Sequence, residues 1–157
     1  MSDKVYDGKL VDVVIEDGNE VVVHGPAVTV VANDRDDRVW LVRQRRAGAR
    51  GPLLELPAGN LDDDETPLAA AQRELREETG LHGGEWVEAA SFFVTPGYCD
   101  ERITLFIARR LERGEPDPDG SEELELVPVP VAEVPALLAE LEDAKTLVGL
   151  LLHLRQR

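Results

Sequence analysis

The sequence predicts a mixed α/β (α+β) fold in which strands lie before and after one central helix. Residues 27–32 form an apolar, β-branched run, which is typical of a strand buried on both faces. The polar turn at 33–37 joins it to a second run at 38–43, and this pattern indicates a hairpin. Residues 67–79 have the composition and end signals of a helix. Strands on both sides of a helix favour a layered sandwich with a largely antiparallel sheet.

The rest of the N-terminal half is expected to form short strands. Two antiparallel strands, at 5–16 and 21–23, are predicted because the sequence Asp-Gly-Asn at 17–19 is a turn signal between them. The stretch 45–52 is basic and contains glycine, so we expect a loop. Residues 53–56 are expected to form a short strand that leads towards the helix.

The C-terminal half predicts further strands and two more helices. Pro128 is expected to stop the last strand, and the end of the last helix is basic, which suits the helix dipole. The predicted elements are strand 85–94, loop 95–100, strand 103–110, a polar insertion at 113–121, strand 124–127, helix 131–141 and helix 144–154.

Composition and charge exclude several classes of protein. A chain of 157 residues fits one domain, 1–157. The net charge of -15 argues against a nucleic-acid-binding or membrane-binding surface, because both need a basic patch. There is no apolar run of membrane-spanning length and no secretory signal at the start, and the single cysteine, Cys99, fits a reducing cytoplasm. The acidic surplus indicates either a high-salt host or a coding bias.

The central helix has clear signals at both ends. Thr66 is a good N-cap, Pro67 suits the first helical position, and Gly80 suits the left-handed residue that ends a helix. The helical period of 3.6 residues predicts that one face of this helix packs against the core. The residues predicted on that face are Leu68, Ala71, Leu75 and Thr79.

A second face of the helix carries three carboxylates, Glu74, Glu77 and Glu78. At this spacing they repel one another, so the cluster does not serve helix stability. Oxygen-rich clusters of this kind suit hard cations such as Mg²⁺ or Mn²⁺. The alternative is a solvated acidic face in which Arg73 and Arg76 are ion-pair partners.

The wider spacing favours the metal site. Residues 59–81 fit the pattern G-x5-E-x7-R-E-U-x-E-E-x-G-U, in which U is apolar, at every position. This pattern resembles the signature of the Nudix hydrolases. The resemblance implies an α/β/α sandwich with a mixed sheet, and an enzyme that uses divalent cations to hydrolyse a nucleoside diphosphate linked to another moiety.

Three stretches outside the motif resemble the ADP-ribose pyrophosphatase group of that family. Residues 95–102, with sequence TPGYCDER, are similar to a proline-glycine loop that ends in Glu-Arg. Residues 41–46 followed by 54–59 are similar to a second segment of the group, and 143–147 to a third. The resemblance implies ADP-ribose as the substrate, with AMP and ribose 5-phosphate as products.

The resemblance also implies roles for individual residues. Glu74 and Glu78 match metal ligands, Glu77 completes or supports the site, and Ala58 matches a ligand through its backbone carbonyl. Glu101 matches a loop glutamate that acts as base or metal partner. It is the first candidate for the general base and Glu77 the second, with Mg²⁺ as the expected metal and Mn²⁺ as the alternative. Further expected roles are substrate contact for Arg46, Glu55, Pro96 and Tyr98, and an ion pair between Arg73 and Glu65.

Several alternatives stay open. Other substrates would be NADH, a nucleotide sugar, a diadenosine polyphosphate or an oxidised nucleoside triphosphate, and a non-catalytic ADP-ribose sensor is a further alternative. Tyr98 either stacks on a base or is a partly buried loop residue. The three histidines have no ligand spacing and receive no role. The family resemblance implies a homodimer, with the short segment 1–24 as a candidate dimerisation element.

Overall fold

A computed structural model of the protein describes residues 3–116 and 124–157. The helices of this part are α1 (Pro67–Thr79), α2 (Val134–Leu137) and α3 (Ala144–Arg155), with 3₁₀ turns at Val131–Glu133 and Leu138–Glu140 on either side of α2. None of these helices has both the length and the apolar character that a membrane span needs. The strands are β1 (Asp3–Asp7), β2 (Asp12–Glu16), β3 (Asn19–Val23), β4 (Pro26–Asp34), β5 (Arg38–Arg46), β6 (Gly51–Glu55), β7 (Ala58–Asn60), β8 (Leu81–His82), β9 (Glu85–Phe93), β10 (Arg102–Arg113) and β11 (Glu125–Pro130).

The main sheet is mixed, as predicted. Its strand order is β11-β5-β4-β10-β8, with β6 beside β5, β7 beside β4 and β9 beside β10. Strands β4 and β10 pair in parallel, with Val28 opposite Thr104, and the other described pairs are antiparallel. The parallel pair is central because β4 and β10 both have neighbours on each side.

Helices cover both faces of this sheet. Side chains of β4 alternate between the faces, so Val28 and Val30 pack in the cluster that contains Leu75 of α1. Val31 packs in the opposite cluster, which contains Leu150 of α3. All of β4 after Pro26 is buried, in agreement with the apolar run in its sequence. The arrangement confirms the α/β/α sandwich.

The N-terminal segment forms three strands and not the two that were predicted. Strands β1, β2 and β3 make a separate antiparallel sheet, because residues 8–11 break the predicted long strand in two. No described residue of these three strands is buried. Their backbone meets the rest of the fold at Val22, whose N–H donates to Tyr98 O (2.8 Å).

The last strand continues through its prolines, so the prediction that Pro128 stops it was wrong. Strand β11 pairs with β5 up to Pro130, which lies opposite Arg38. β11 is an edge strand in the described sheet, and there the missing N–H of a proline can face away from the neighbouring strand.

Other boundaries also differ from the predictions. The helix expected at 131–141 is broken into short turns, because Pro135 cannot donate the next helical hydrogen bond. The loop expected at 45–52 shrinks to 47–50, since β5 and β6 extend into it. Strands β7 and β8, of three and two residues, were not predicted. Residues 117–121 of the predicted insertion lie outside the described residues.

Candidate active site

Helix α1 begins and ends where its sequence predicts. The Ala69 N–H donates to Thr66 Oγ1 (3.3 Å), and Pro67 occupies the first turn. Gly80 has the left-handed φ of 74°, and its N–H donates to Arg76 O (2.8 Å). These two ends fix where the helix starts and stops, and the packing of its buried face sets the direction in which its glutamates point.

One glutamate of the acidic face lies on the buried side of the helix. Ala71, Leu75 and Thr79 are buried, as predicted, and so is Glu78, which is 6% exposed. Leu68 is 40% exposed, so its place in the predicted core was wrong. Helical periodicity gives the angle of a side chain but not whether the sheet extends under the first turn.

Arg73 is the cation at the centre of the motif. Its guanidinium donates to Glu65 (2.8 and 3.1 Å), Glu74 (2.7 Å) and Glu77 (3.3 Å), and to the carbonyl of Asn60 (3.0 Å). The hydrogen bonds that Arg73 donates to Glu65, and then the one it donates to Glu74, raise the pKa of Arg73 above its usual range. The predicted Arg73–Glu65 ion pair is confirmed, and it ties the loop before the helix to the acidic face.

Gly59 brings the backbone of β7 against the Glu74 carboxylate. A Cβ atom at position 59 would lie 2.0 Å from Glu74 Cδ, so the carboxylate could not stay where it is beside any residue larger than glycine. β7 is itself held by pairing with β4, where Gly59 lies opposite Val28. The strand that carries the carbonyl of Ala58 is therefore in direct contact with a motif carboxylate.

A cleft of about 820 Å³ opens between these elements. Helix α1, the strand starts of β4 and β10, and the start of α3 contribute to its wall. Seven of the nine residues predicted to act in the site line this cleft. They are Arg46, Glu55, Ala58, Glu74, Glu77, Glu78 and Glu101.

The two remaining predicted residues, Pro96 and Tyr98, lie outside the cleft. Both are exposed, and the Tyr98 side chain is 59% exposed. Their loop is instead joined to the N-terminal sheet through the backbone of Tyr98. A contact of either side chain with the substrate stays a prediction, and the position of both residues outside the cleft does not favour it.

Glu55 is buried and holds two cations. Arg46 donates to both of its carboxylate oxygens (2.7 and 3.0 Å), and Lys145 Nζ donates to Oε2. Burial alone would raise the pKa of Glu55, but the hydrogen bonds from Arg46 and Lys145 outweigh it and the pKa is lowered. Glu55 is 0% exposed, so its contacts are with these two side chains and it presents them to the cleft.

Lys145 was not predicted as a site residue. It belongs to the first turn of α3, where it pairs with Asp143 (3.0 Å) as well as with Glu55. Asp143 caps that helix by accepting from the Thr146 N–H (3.0 Å), and Thr146 Oγ1 accepts from the Leu56 N–H (2.8 Å). The N-cap aspartate was visible in the sequence, but the pairing of Lys145 with Glu55 spans 90 residues and has no local signal.

Residues near the N-terminus also line the cleft, which the sequence did not predict. Leu10 and Val11, between β1 and β2, contribute to its rim, and so does His24, between β3 and β4. Leu10 is 84% exposed even so. Apolar side chains at the rim of a cleft lined by charges favour a ligand with both an apolar and an anionic part.

The comparison with known proteins agrees with the motif. The sequence model of the NUDIX domain matches residues 23–149. The chain belongs to the Nudix family. It is 32% identical to an ADP-ribose pyrophosphatase of Bacillus subtilis, over 92% of this chain and 85% of that protein. It is 36% identical to an ADP-ribose pyrophosphatase of Mycobacterium tuberculosis, over 84% of this chain and 66% of that one.

Other similar proteins carry different names. A GDP-mannose pyrophosphatase of Citrobacter koseri is 31% identical, over 86% of this chain and 76% of its own length. A solved structure described as an ADP compounds hydrolase superposes with a TM-score of 0.82 over 99% of this chain and 91% of its own, at 24% identity, which supports the fold. Family and relatives together identify this protein as a Nudix pyrophosphohydrolase.

Nudix hydrolases use divalent cations, and the donors of this cleft fit one. The side chains of Glu74, Glu77 and Glu78 and the carbonyl of Ala58 offer oxygen, which hard cations prefer. In the described part of the chain no three His, Cys, Asp or Glu side chains are already grouped as a metal site. Arg73 donates a hydrogen bond to one oxygen of Glu74 and to one oxygen of Glu77.

Proposed function

We propose that this Nudix enzyme hydrolyses the pyrophosphate bond of ADP-ribose to AMP and ribose 5-phosphate, with Mg²⁺ as cofactor and Mn²⁺ as a substitute. The observation that carries the proposal is the cleft, which is lined both by the glutamates Glu74, Glu77, Glu78 and Glu101 and by the cationic side chains of Arg46, Arg73 and Lys145. The two relatives named ADP-ribose pyrophosphatase support the choice of substrate.

The motif glutamates and the carbonyl of Ala58 would hold the metal. When bound, a divalent cation neutralises phosphate oxygens and lowers the pKa of a water molecule. Without the cation, the negatively charged pyrophosphate would be repelled by Glu74, Glu77 and Glu78, because all three line the cleft. Arg73 keeps Glu74 in place from the other side through its 2.7 Å hydrogen bond.

The remaining residues act on the substrate and on the water. Glu101 takes a proton from the water as the water oxygen attacks phosphorus, and the bond from that phosphorus to the bridging oxygen breaks. Arg46 and Lys145 bind phosphate oxygens and orient the pyrophosphate of the substrate, because Glu55 holds both cationic side chains at the cleft. Glu77 is the second candidate for the base.

A substrate panel tests the proposed specificity. ADP-ribose, NADH, a diadenosine polyphosphate, GDP-mannose and an oxidised nucleoside triphosphate would be supplied at equal concentration with Mg²⁺, and kcat/KM would be measured for each. The proposal expects ADP-ribose to lead. The strongest rival is GDP-mannose, because several relatives at 31% identity are named GDP-mannose pyrophosphatase. A lead for GDP-mannose would keep the chemistry and overturn the substrate.

We also propose that the protein is a cytoplasmic homodimer. The location is inferred from the single cysteine. Strand β1 is an exposed edge strand in which Val5 and Tyr6 are 59% and 58% exposed, and a second copy of the chain would cover such an edge. Light scattering should give a mass of two chains. A mass of 17.3 kDa, that of one chain, would contradict the dimer.

A further inference from the structure

The loop that carries Glu101 is attached to the chain segment before β4. Strands β4 and β10 start side by side, with Pro26 opposite Arg102. An isolated parallel bridge pairs Val22 with Cys99 a few residues earlier. The segment that leads to β4 advances four residues from the bridge at Val22 to Pro26. The segment that leads to β10 advances only three residues, from Cys99 to Arg102. One extra residue therefore lies before β4, as in a β-bulge.

An extra residue leaves backbone N–H groups that the ladder cannot use, and Asp100 takes two of them. Asp100 Oδ1 accepts from the N–H of His24 (2.7 Å) and from that of Gly25 (3.3 Å). The backbone on either side is joined as well, since the Asp100 N–H donates to Val22 O (3.1 Å) and the Val22 N–H donates to Tyr98 O (2.8 Å). Four hydrogen bonds thus hold the loop against the β3–β4 connection.

Glu101 follows Asp100 directly and lines the cleft. Its carbonyl accepts from the Val94 N–H (3.2 Å) at the end of β9, and His24 lines the cleft on the other side of the attachment. Asp100 itself is not among the residues that line the cleft. Glu101 therefore lies between Asp100 and Arg102, the first residue of β10.

We propose that Asp100 is a positioning residue for hydrolysis, which sets Glu101 at the cleft by fixing its loop to the connection before β4. The inference rests on the proposed function, because that function assigns Glu101 as the general base. Since the connection before β4 comes directly after β3, Asp100 also couples the N-terminal sheet to the base.

The test compares Asp100→Ala and Asp100→Asn with Glu101→Gln and with the double variant Asp100→Ala/Glu101→Gln. Asn keeps a side-chain oxygen that can accept both N–H groups, and Ala does not. Asp36→Ala is the matched control, because Asp36 is an exposed, hydrogen-bonded aspartate that does not line the cleft. For each variant, kcat and KM for ADP-ribose, the affinity for Mn²⁺ and the melting temperature would be measured.

We expect Asp100→Ala to lower kcat by roughly ten- to a hundredfold, because a displacement of about 1 Å has an effect of that size. KM and Mn²⁺ affinity should change less than about threefold, and Asp100→Asn should recover most of kcat, as binding groups are untouched. In the Glu101→Gln background, Asp100→Ala should cost little more, because both changes act through one side chain.

Each contrary outcome overturns a different claim. If Glu101→Gln is slow but Asp100→Ala matches Asp36→Ala, Asp100 does not position the base and the proposed function stands. If Asp100→Asn is as slow as Asp100→Ala, the hydrogen bonds that Asp100 accepts from His24 and Gly25 do not cause the loss. If the two losses multiply in the double variant, Asp100 does not act through Glu101. Near-normal turnover by Glu101→Gln removes the assigned base and this inference with it.

Discussion

Gly59→Ala is expected to separate metal binding from folding. The added Cβ would lie 2.0 Å from Glu74 Cδ and 2.2 and 2.4 Å from its two oxygens. Non-bonded carbon atoms approach to about 3.5 Å, so the carboxylate must retreat by roughly 1.5 Å. Metal–oxygen bonds to Mg²⁺ are about 2.0–2.1 Å long with little tolerance, so a shift of this size would prevent Glu74 from acting as the proposed metal ligand.

The fold should tolerate the change. The atoms that meet the new Cβ are the far end of the Glu74 side chain, and this end can rotate away from the backbone of β7. We therefore expect Mn²⁺ affinity to fall by at least about tenfold, which equals about 1.4 kcal/mol. We also expect kcat for ADP-ribose to fall by about a hundredfold.

Mn²⁺ binding would be followed by electron paramagnetic resonance, and unfolding by circular dichroism. Gly48→Ala is the matched control, since a Cβ at Gly48 meets nothing within 4 Å. Equal Mn²⁺ affinity in the two variants would refute the assignment of Glu74 as a ligand that lies against Gly59. A large loss of melting temperature in Gly59→Ala alone would refute the claim that the Glu74 carboxylate can move without disturbing the fold.

Two further predictions concern buried charge. Burial, helped by Arg109 and Arg157, lowers the pKa of His153 from 6.5 to about 4, so below pH 6.5 the unfolded state takes up a proton that the folded state does not. His153 therefore does not affect the free energy of unfolding above pH 6.5, but lowers it as the pH drops, by about 3 kcal/mol at pH 4. Urea unfolding should show this loss, and His153→Phe should reduce it. Glu55→Ala should cost about 3 kcal/mol or more of unfolding free energy, because it leaves Arg46 and Lys145 beside an empty buried position; a loss below 1 kcal/mol in the same assay would contradict this.

Features set by local chemistry were predictable from the sequence. The bounds of α1 follow from Thr66, Pro67 and Gly80, each of which acts within one turn of its own position. The double burial of β4 follows from its apolar run. Motif spacing also sufficed to select Glu74 and Glu78 as cleft residues, because a helix of fixed period carries them.

Features set by distant contacts were not predictable. Strand β7 has three residues and exists because β4 pairs with it, and β11 runs through Pro128 because it lies at an edge. The cation pair at Glu55 depends on Lys145, which the chain brings back after 90 residues. Tyr98 lies in a stretch of sequence that resembles the proline-glycine loop of the subfamily, but its side chain is exposed. Its backbone carbonyl accepts the hydrogen bond that joins this loop to Val22.

The most direct test of the central claim is ADP-ribose hydrolysis by metal-stripped protein before and after Mg²⁺ is added. We expect no turnover without a divalent cation, because the motif carboxylates repel pyrophosphate. On addition of Mg²⁺ we expect AMP and ribose 5-phosphate in equal amounts. Turnover that persists in excess chelator would contradict the role of the glutamate cleft. ADP-ribose that binds with Mg²⁺ but is never cleaved would mean that the protein is a sensor and not a hydrolase.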